Sequence, residues 1–242
     1  MLRVALWIGN PYLDQTEPPE RAATTWRPPP GPAEPADPPL PPGFPSMGVP
    51  PPMSAASTGN PQPVPTRYGL TYSVPPGAGW RPSNQAVMGW TDESSGATIV
   101  GYGAVSDYGY GYCPTTEGSA LATVGARGRS GIDIDTAART DIDRAEKIFS
   151  DNKSGQKAAV TIAGPITSTI SGRPAVRYTA RITNIPKKSQ CDPTEAGFDI
   201  IATPAYASAE VAVFMVEHHL GLPKSLSDAD IDRIIESVVK TQ

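Results

Sequence analysis

The chain has 242 residues, with 20 lysines and arginines against 24 aspartates and glutamates. A net charge of −4 without any basic run lacks the electrostatic footprint of a nucleic-acid binder. No apolar window is long enough to span a bilayer.

Of 29 prolines, 19 precede Arg67. Runs such as Pro28-Pro29-Pro30 and Pro50-Pro51-Pro52 remove backbone donors and bias their neighbours to extended structure. The intervening Gly, Ala, Ser and Thr offer too little apolar surface to offset chain entropy. Residues 1–66 are therefore expected as a disordered, proline-rich arm, and residues 67–242 as a single domain. Within residues 1–9, Leu2 to Ile8 form an apolar run followed by Tyr12. It reads either as the remnant of a longer membrane segment, with Trp7 and Tyr12 at the interface, or as an apolar terminus.

From Tyr68 onward, Leu70 to Val74 alternates as a strand and stops at Pro75-Pro76-Gly77. Strands are expected at Gln85–Thr91 and Ala97–Val105, followed by a Gly/Tyr-rich stretch. Between Asp135 and Phe149 the period becomes helical, with Ala138, Ile142, Ala145 and Phe149 on one face and Asp133 or Asp135 as cap. Strands follow at Ala158–Ile170, Arg173–Ile185, Phe198–Thr203 and Glu210–His218. The last is apolar on both faces, as a central strand is. Ser227 and Asp230 resemble a capping box opening a helix with the stripe Ile231, Ile234, Ile235, Val238 and Val239. The expected fold is α+β, a mostly antiparallel sheet of about six or seven strands sandwiched by helices.

The stretch Tyr-Gly-Leu-Thr-Tyr-Ser-Val-Pro at 68–75, Gly79-Trp80, the mid-chain helix and the closing Ile234-Ile235-Glu236-Ser237 resemble PsbP-like domains. Tyr112-Cys113-Pro114 and Gln190-Cys191-Asp192-Pro193 resemble an uncharacterised actinobacterial domain of membrane-tethered, extracytoplasmic proteins. The resemblance covers roughly Tyr68 to Lys240. It implies a fold and a compartment, with a transmembrane helix ahead of the domain, and no known activity.

Cys113 and Cys191 can form a disulfide, remain two thiols, or give half of a metal site. No C-x-x-C supports metal, and a disulfide is the favoured state, with Cα atoms within about 7 Å. His218 and His219 point to opposite faces of a strand and cannot address one substrate. They are expected near solvent and outside any Cys–His pair. Asp133, Asp135, Asp141 and Asp143 lack the glycine and glutamate of a calcium loop and read as solvated helix caps. Arg173, Arg177 and Arg181, four apart in a strand, share one face. Tyr108, Tyr110 and Tyr112 do the same in an extended stretch. Both rows are candidate binding surfaces, for an anionic polymer or for a sugar or protein.

No catalytic residue, metal site or cofactor is indicated, since phosphate-loop, G-x-S-x-G and H-E-x-x-H motifs are missing. The reading is a non-catalytic binding or scaffolding module displayed on a proline-rich spacer at the cell envelope. Its partner would be an envelope protein or cell-wall polymer, and membrane contact would come only through an N-terminal segment. An enzyme with a cryptic site and a cytoplasmic adaptor with a partner-binding arm are the alternatives.

Overall fold

The computed structural model describes residues 3–6 and 36–242. Two sheets meet face to face in it, and every strand pairing is antiparallel. The smaller sheet has β2 (Gln62–Pro65) and β3 (Leu70–Val74), with β12 (Val239–Lys240) on the other side of β3. The larger sheet begins with β1 (Arg3–Leu6), then β5 (Val87–Thr91), β6 (Thr98–Tyr108) and β7 (Ala122–Arg129). It continues through β11 (Val211–Leu220), β10 (Glu195–Pro204) and β9 (Arg173–Thr183) to the edge strand β8 (Ala159–Ile170). The short β4 (Trp80–Pro82) also pairs with β6. Buried on both faces, β11 lies inside the sheet, as its doubly apolar sequence requires.

Each face of the large sheet has its own core. On one, α1 (Ile134–Ile142) and α2 (Ala145–Phe149) bury Ala138, Ile142, Ala145 and Phe149 against Tyr178, Phe198, Ile200 and Met215. Phe198 stands edge-on to both Trp90 and Phe149, with ring centroids 5.9 and 6.0 Å away. The expected single helix thus divides near Asp143 and Arg144, but its apolar face continues across the break. Asp133 caps α1 by accepting from Thr136 N.

On the opposite face, Leu70, Tyr72 and Val74 of β3 meet Ile201, Phe214 and Val216, and α3 (Asp228–Glu236) adds Ile231 and Ile234. The Tyr72 hydroxyl reaches across the layers to donate to the Ala104 carbonyl at 2.6 Å. The capping box of Ser227 and Asp230 is present in both directions.

This architecture corrects the helix-sandwiched α+β, PsbP-like expectation. Strands hold 40 % of the described residues and helices 11 %, and one of the covering layers is itself a sheet. The additional strands hide for identifiable reasons. β2 carries Pro63 and Pro65, which an edge strand tolerates because its outward N–H groups have no ladder to join. In β7, Gly125 and Gly128 break the alternation, because Tyr102 and Tyr68 pack directly against their backbones.

Packing also begins ahead of Arg67, where the domain boundary was expected. Arg129 Nε donates to Asp37 at 3.0 Å, Ser208 Oγ accepts from Met47 N at 2.7 Å, and Asn84 donates to the Pro51 carbonyl at 2.6 Å. The proline-rich chain from 36 to 61 therefore lies on the domain, ahead of β2. Residues 3–6 pair with β5, whereas Trp7, Tyr12 and the rest of the expected arm to residue 35 lie outside the described residues.

One turn ties the two layers electrostatically. Asp92, between β5 and β6, accepts from the backbone and hydroxyl of Ser94 and lies 2.9 Å from Lys147 Nζ of α2. The Ser94 hydroxyl, followed by the Lys147 ammonium, holds the Asp92 carboxyl well below the usual carboxylate range. A depressed folded-state value contributes stability that is complete above about pH 4 and is lost as the pH falls further. In urea titrations, Asp92→Asn is expected to destabilise the protein at pH 7, with the gap to the parent closing as the pH falls from 4 to 2. A gap that is constant with pH rejects the assignment.

Candidate functional site: a disulfide-braced cleft

Two loops at one end of the large sheet are joined covalently. The first leaves β6 at Tyr108 and turns through Gly109 and Gly111, whose φ values of 61° and 74° suit glycine. It is closed by Gly111 N donating to the Ser119 carbonyl at 2.7 Å. The second joins β9 to β10, and the Asp192 carboxylate organises it by accepting from Lys188 N, Ser189 N and the Ser189 hydroxyl. Cys113 and Cys191 form the expected disulfide between the loops, with Cα atoms 5.6 Å apart.

Between the loops and the end of α2 lies a cleft of about 210 Å³. Phe149, Ile185 and Pro193 give it an apolar wall, while Thr115, Thr116, Ser119 and Ser150 contribute hydroxyls. Tyr112 and His219 also line it, and Asp151, Lys188 and Asp192 bring charged groups to its rim. His219 Nδ1 is 3.2 Å from the Tyr112 hydroxyl, and its Nε2 is 3.0 Å from Glu217 Oε1. Glu217 is only 1 % exposed, so its carboxylate needs this donor. The Tyr112 hydroxyl also donates to the Cys191 carbonyl, 3.1 Å away. Both ring nitrogens are thus committed within the protein, and both sulfurs are bonded to each other.

The sequence placed both histidines near solvent, but they are 5 and 8 % exposed. They do face opposite sides of the sheet, His218 opposite Gly197 and His219 opposite Ala196. Of the three tyrosines, only Tyr112 reaches the cleft. Tyr108 stacks on Trp80 at 5.3 Å, and Tyr110 lies beneath Arg81 at 3.7 Å, because the glycine turns send the three apart. Arg173, Arg177 and Arg181 belong to β9 and keep to one face. Arg173 donates to the Ala205 carbonyl and covers the Tyr206 ring, Arg177 pairs with Asp199 and Asp232, and Arg181 pairs with Glu195.

Asp141 departs from the solvated cap expected of it. It is fully buried, accepting from the Tyr102 hydroxyl at 2.9 Å and pairing with Arg127 and Arg144. No cluster of metal-ligating side chains occurs among the described residues. Sequence reasoning passed over Glu217 and the hydroxyl lining. The available signal was the flanking of each cysteine by hydroxyl residues, Thr115-Thr116 after Cys113 and Ser189 before Cys191.

No curated protein matches the sequence. Residues 55–241 match the family described as a domain of unknown function, DUF8017, and the match takes in the disulfide, both loops and the sheet between them: the chain belongs to that family.

Proposed function

We propose that the domain is a non-catalytic binding module of the cell envelope, tethered through an N-terminal membrane segment, whose disulfide-braced cleft holds one ring of a cell-wall glycan. The observation that carries this reading is the cleft itself. It has the volume of about one sugar unit, an aromatic and apolar wall, and hydroxyls from several elements, which is the mixture a polyol with an apolar ring face requires. Its histidine is braced on both nitrogens and its cysteines are cross-linked, so the same residues favour a rigid receptor. A structural disulfide also persists best in an oxidising compartment, and no helix among the described residues is long and apolar enough to cross a membrane.

The test is a titration of isotopically labelled protein with soluble wall-glycan fragments, following the imidazole signals of the two histidines. Saturable shifts at His219 are expected, with Thr116→Val weakening the interaction by about five- to tenfold through loss of one hydroxyl contact. The only side-chain hydrogen-bond contact of that hydroxyl among the described residues is a long one to Cys113 Sγ, so the fold should tolerate the change. Saturable shifts with unrelated peptides and none with glycan overturn the glycan reading. Free Cys113 and Cys191 thiols, trapped by alkylation in intact cells, overturn the envelope location.

A further inference from the structure

A second cleft, of about 470 Å³, opens on the other face of the sheet between β9, β10, β11 and the start of α3. Among the described residues, two carboxylates and an imidazole in its lining have hydrogen-bonding capacity left unused. Asp199, 1 % exposed, accepts from Arg177 Nε, Arg177 Nη2 and Thr179 Oγ1 through Oδ1 alone, and Oδ2 has no hydrogen-bond partner among the described residues. Asp228, on the first turn of α3, forms no ion pair among the described residues. His218 lines the same cleft at 5 % exposure, and its buried Nδ1 has no hydrogen-bond partner among the described residues. Of the two guanidiniums on the wall, Arg177 is held by Asp199 and Asp232, and Arg181 pairs with Glu195 through Nη2.

Helix-end acidity alone explains Asp228, because carboxylates favour a helix N-terminus. It does not explain a buried imidazole nitrogen left unpaired, an arrangement that ordinarily costs stability. Nor does it explain why the ring is accommodated here. His218 lies over the backbone of Gly197, where a Cβ would come within 2.2 Å of its Cε1, so glycine on the neighbouring strand is what makes room for it.

From these acceptors we infer that the cleft binds a primary ammonium group, the ε-ammonium of a lysine or the α-ammonium of a peptide, held by Asp228, Asp199 and the His218 ring. An ammonium brings three donors and no acceptor, which complements two carboxylates and the unprotonated nitrogen of the ring. Its charge offsets the carboxylates around the imidazole. Burial pushes the His218 imidazole below its ordinary value, against the opposing influence of Asp199, Glu217 and Asp228, which keeps the ring available as an acceptor at neutral pH. The site is separate from the glycan cleft, because the strand alternation that sends His219 to one face sends His218 to the other.

The chain contains only these two histidines, so each cleft carries its own reporter. The experiment titrates the labelled full chain at pH 7.5 with Nα-acetyl-lysinamide, glycinamide and, as a neutral control, acetamide. Saturable displacement of the His218 imidazole signals by an ammonium compound, without change at His219, is the expected result. Whichever of the two amines binds more tightly identifies the source of the ammonium group. Asp228→Asn, an exposed change with the same shape, should weaken binding about five- to tenfold while shifting the urea midpoint only by the small amount expected for losing one helix-end charge. No saturable shift up to about 20 mM amine, an equal response to acetamide, or an unaltered affinity in Asp228→Asn overturns the assignment.

Discussion

Replacing Cys113 and Cys191 together by serine is expected to lower unfolding stability by about 4 kcal/mol, with the fold retained. The bridge closes a loop across 78 positions, and fixing such a loop restricts the unfolded chain by about 4.5 kcal/mol in the chain-entropy model. For a domain of this size the melting temperature should fall by roughly 10 °C. The fold survives because neither cysteine belongs to either core: the helix-covered core and the sheet-covered core are complete without them. The two loops, in contrast, lose the covalent link that holds the walls of the proposed glycan cleft at a fixed separation. The double variant should therefore bind more weakly than its stability at the assay temperature accounts for. Calorimetry under non-reducing conditions measures the first effect. A loss below about 1 kcal/mol would show that the bridge restrains little.

Removal of the Asp141 carboxylate is the second large effect. This side chain sits on α1 with no exposure and accepts from Tyr102 of β6, while Arg127 of β7 and Arg144 pair with it. It thereby connects the helix to two strands beneath it. Asp141→Ala takes away an acceptor shared by a buried phenol and two partly buried guanidiniums, and a loss of about 3–5 kcal/mol is expected. Asp141→Asn keeps the shape and one carbonyl acceptor and should cost less. Tyr102→Phe, which removes a single hydroxyl, should cost about 1–2 kcal/mol. Urea unfolding at pH 7 gives all three. An Asp141→Ala loss no larger than that of Tyr102→Phe would mean that the arginines find equivalent partners when the carboxylate is gone.

Much of the chain's local structure was legible in its residues. β3 and β9 fall where their alternation places them, α3 follows its capping box, and β11 lies inside the sheet as its two apolar faces demand. These segments carry strong periodicity because each faces a continuous core, so burial writes the pattern directly into the sequence. Where a strand meets an unusual neighbour, the pattern fades. Gly125 and Gly128 in β7 answer to the rings of Tyr102 and Tyr68, and Pro63 and Pro65 in β2 answer to the lack of an outer neighbour. The omission of these strands turned a structure of two facing sheets into an expected helix-covered one.

The candidate sites divide in the same way. Sequence alone determined that two cysteines sit in turn-rich segments, that two adjacent histidines must face apart, and that three arginines share a side of one strand, since each follows from composition or from the two-residue period of a strand. Only the tertiary structure decided that His219 is locked between Tyr112 and Glu217 and that the tyrosines diverge. The same holds for Arg177, which is spent on Asp199 and Asp232, and for His218, whose Nδ1 finds no partner among the described residues above Gly197. The partners in these contacts come from separate strands, loops and helices. Local periodicity records which face of an element is buried, whereas the identity of the group across the gap is set by how distant segments are brought together.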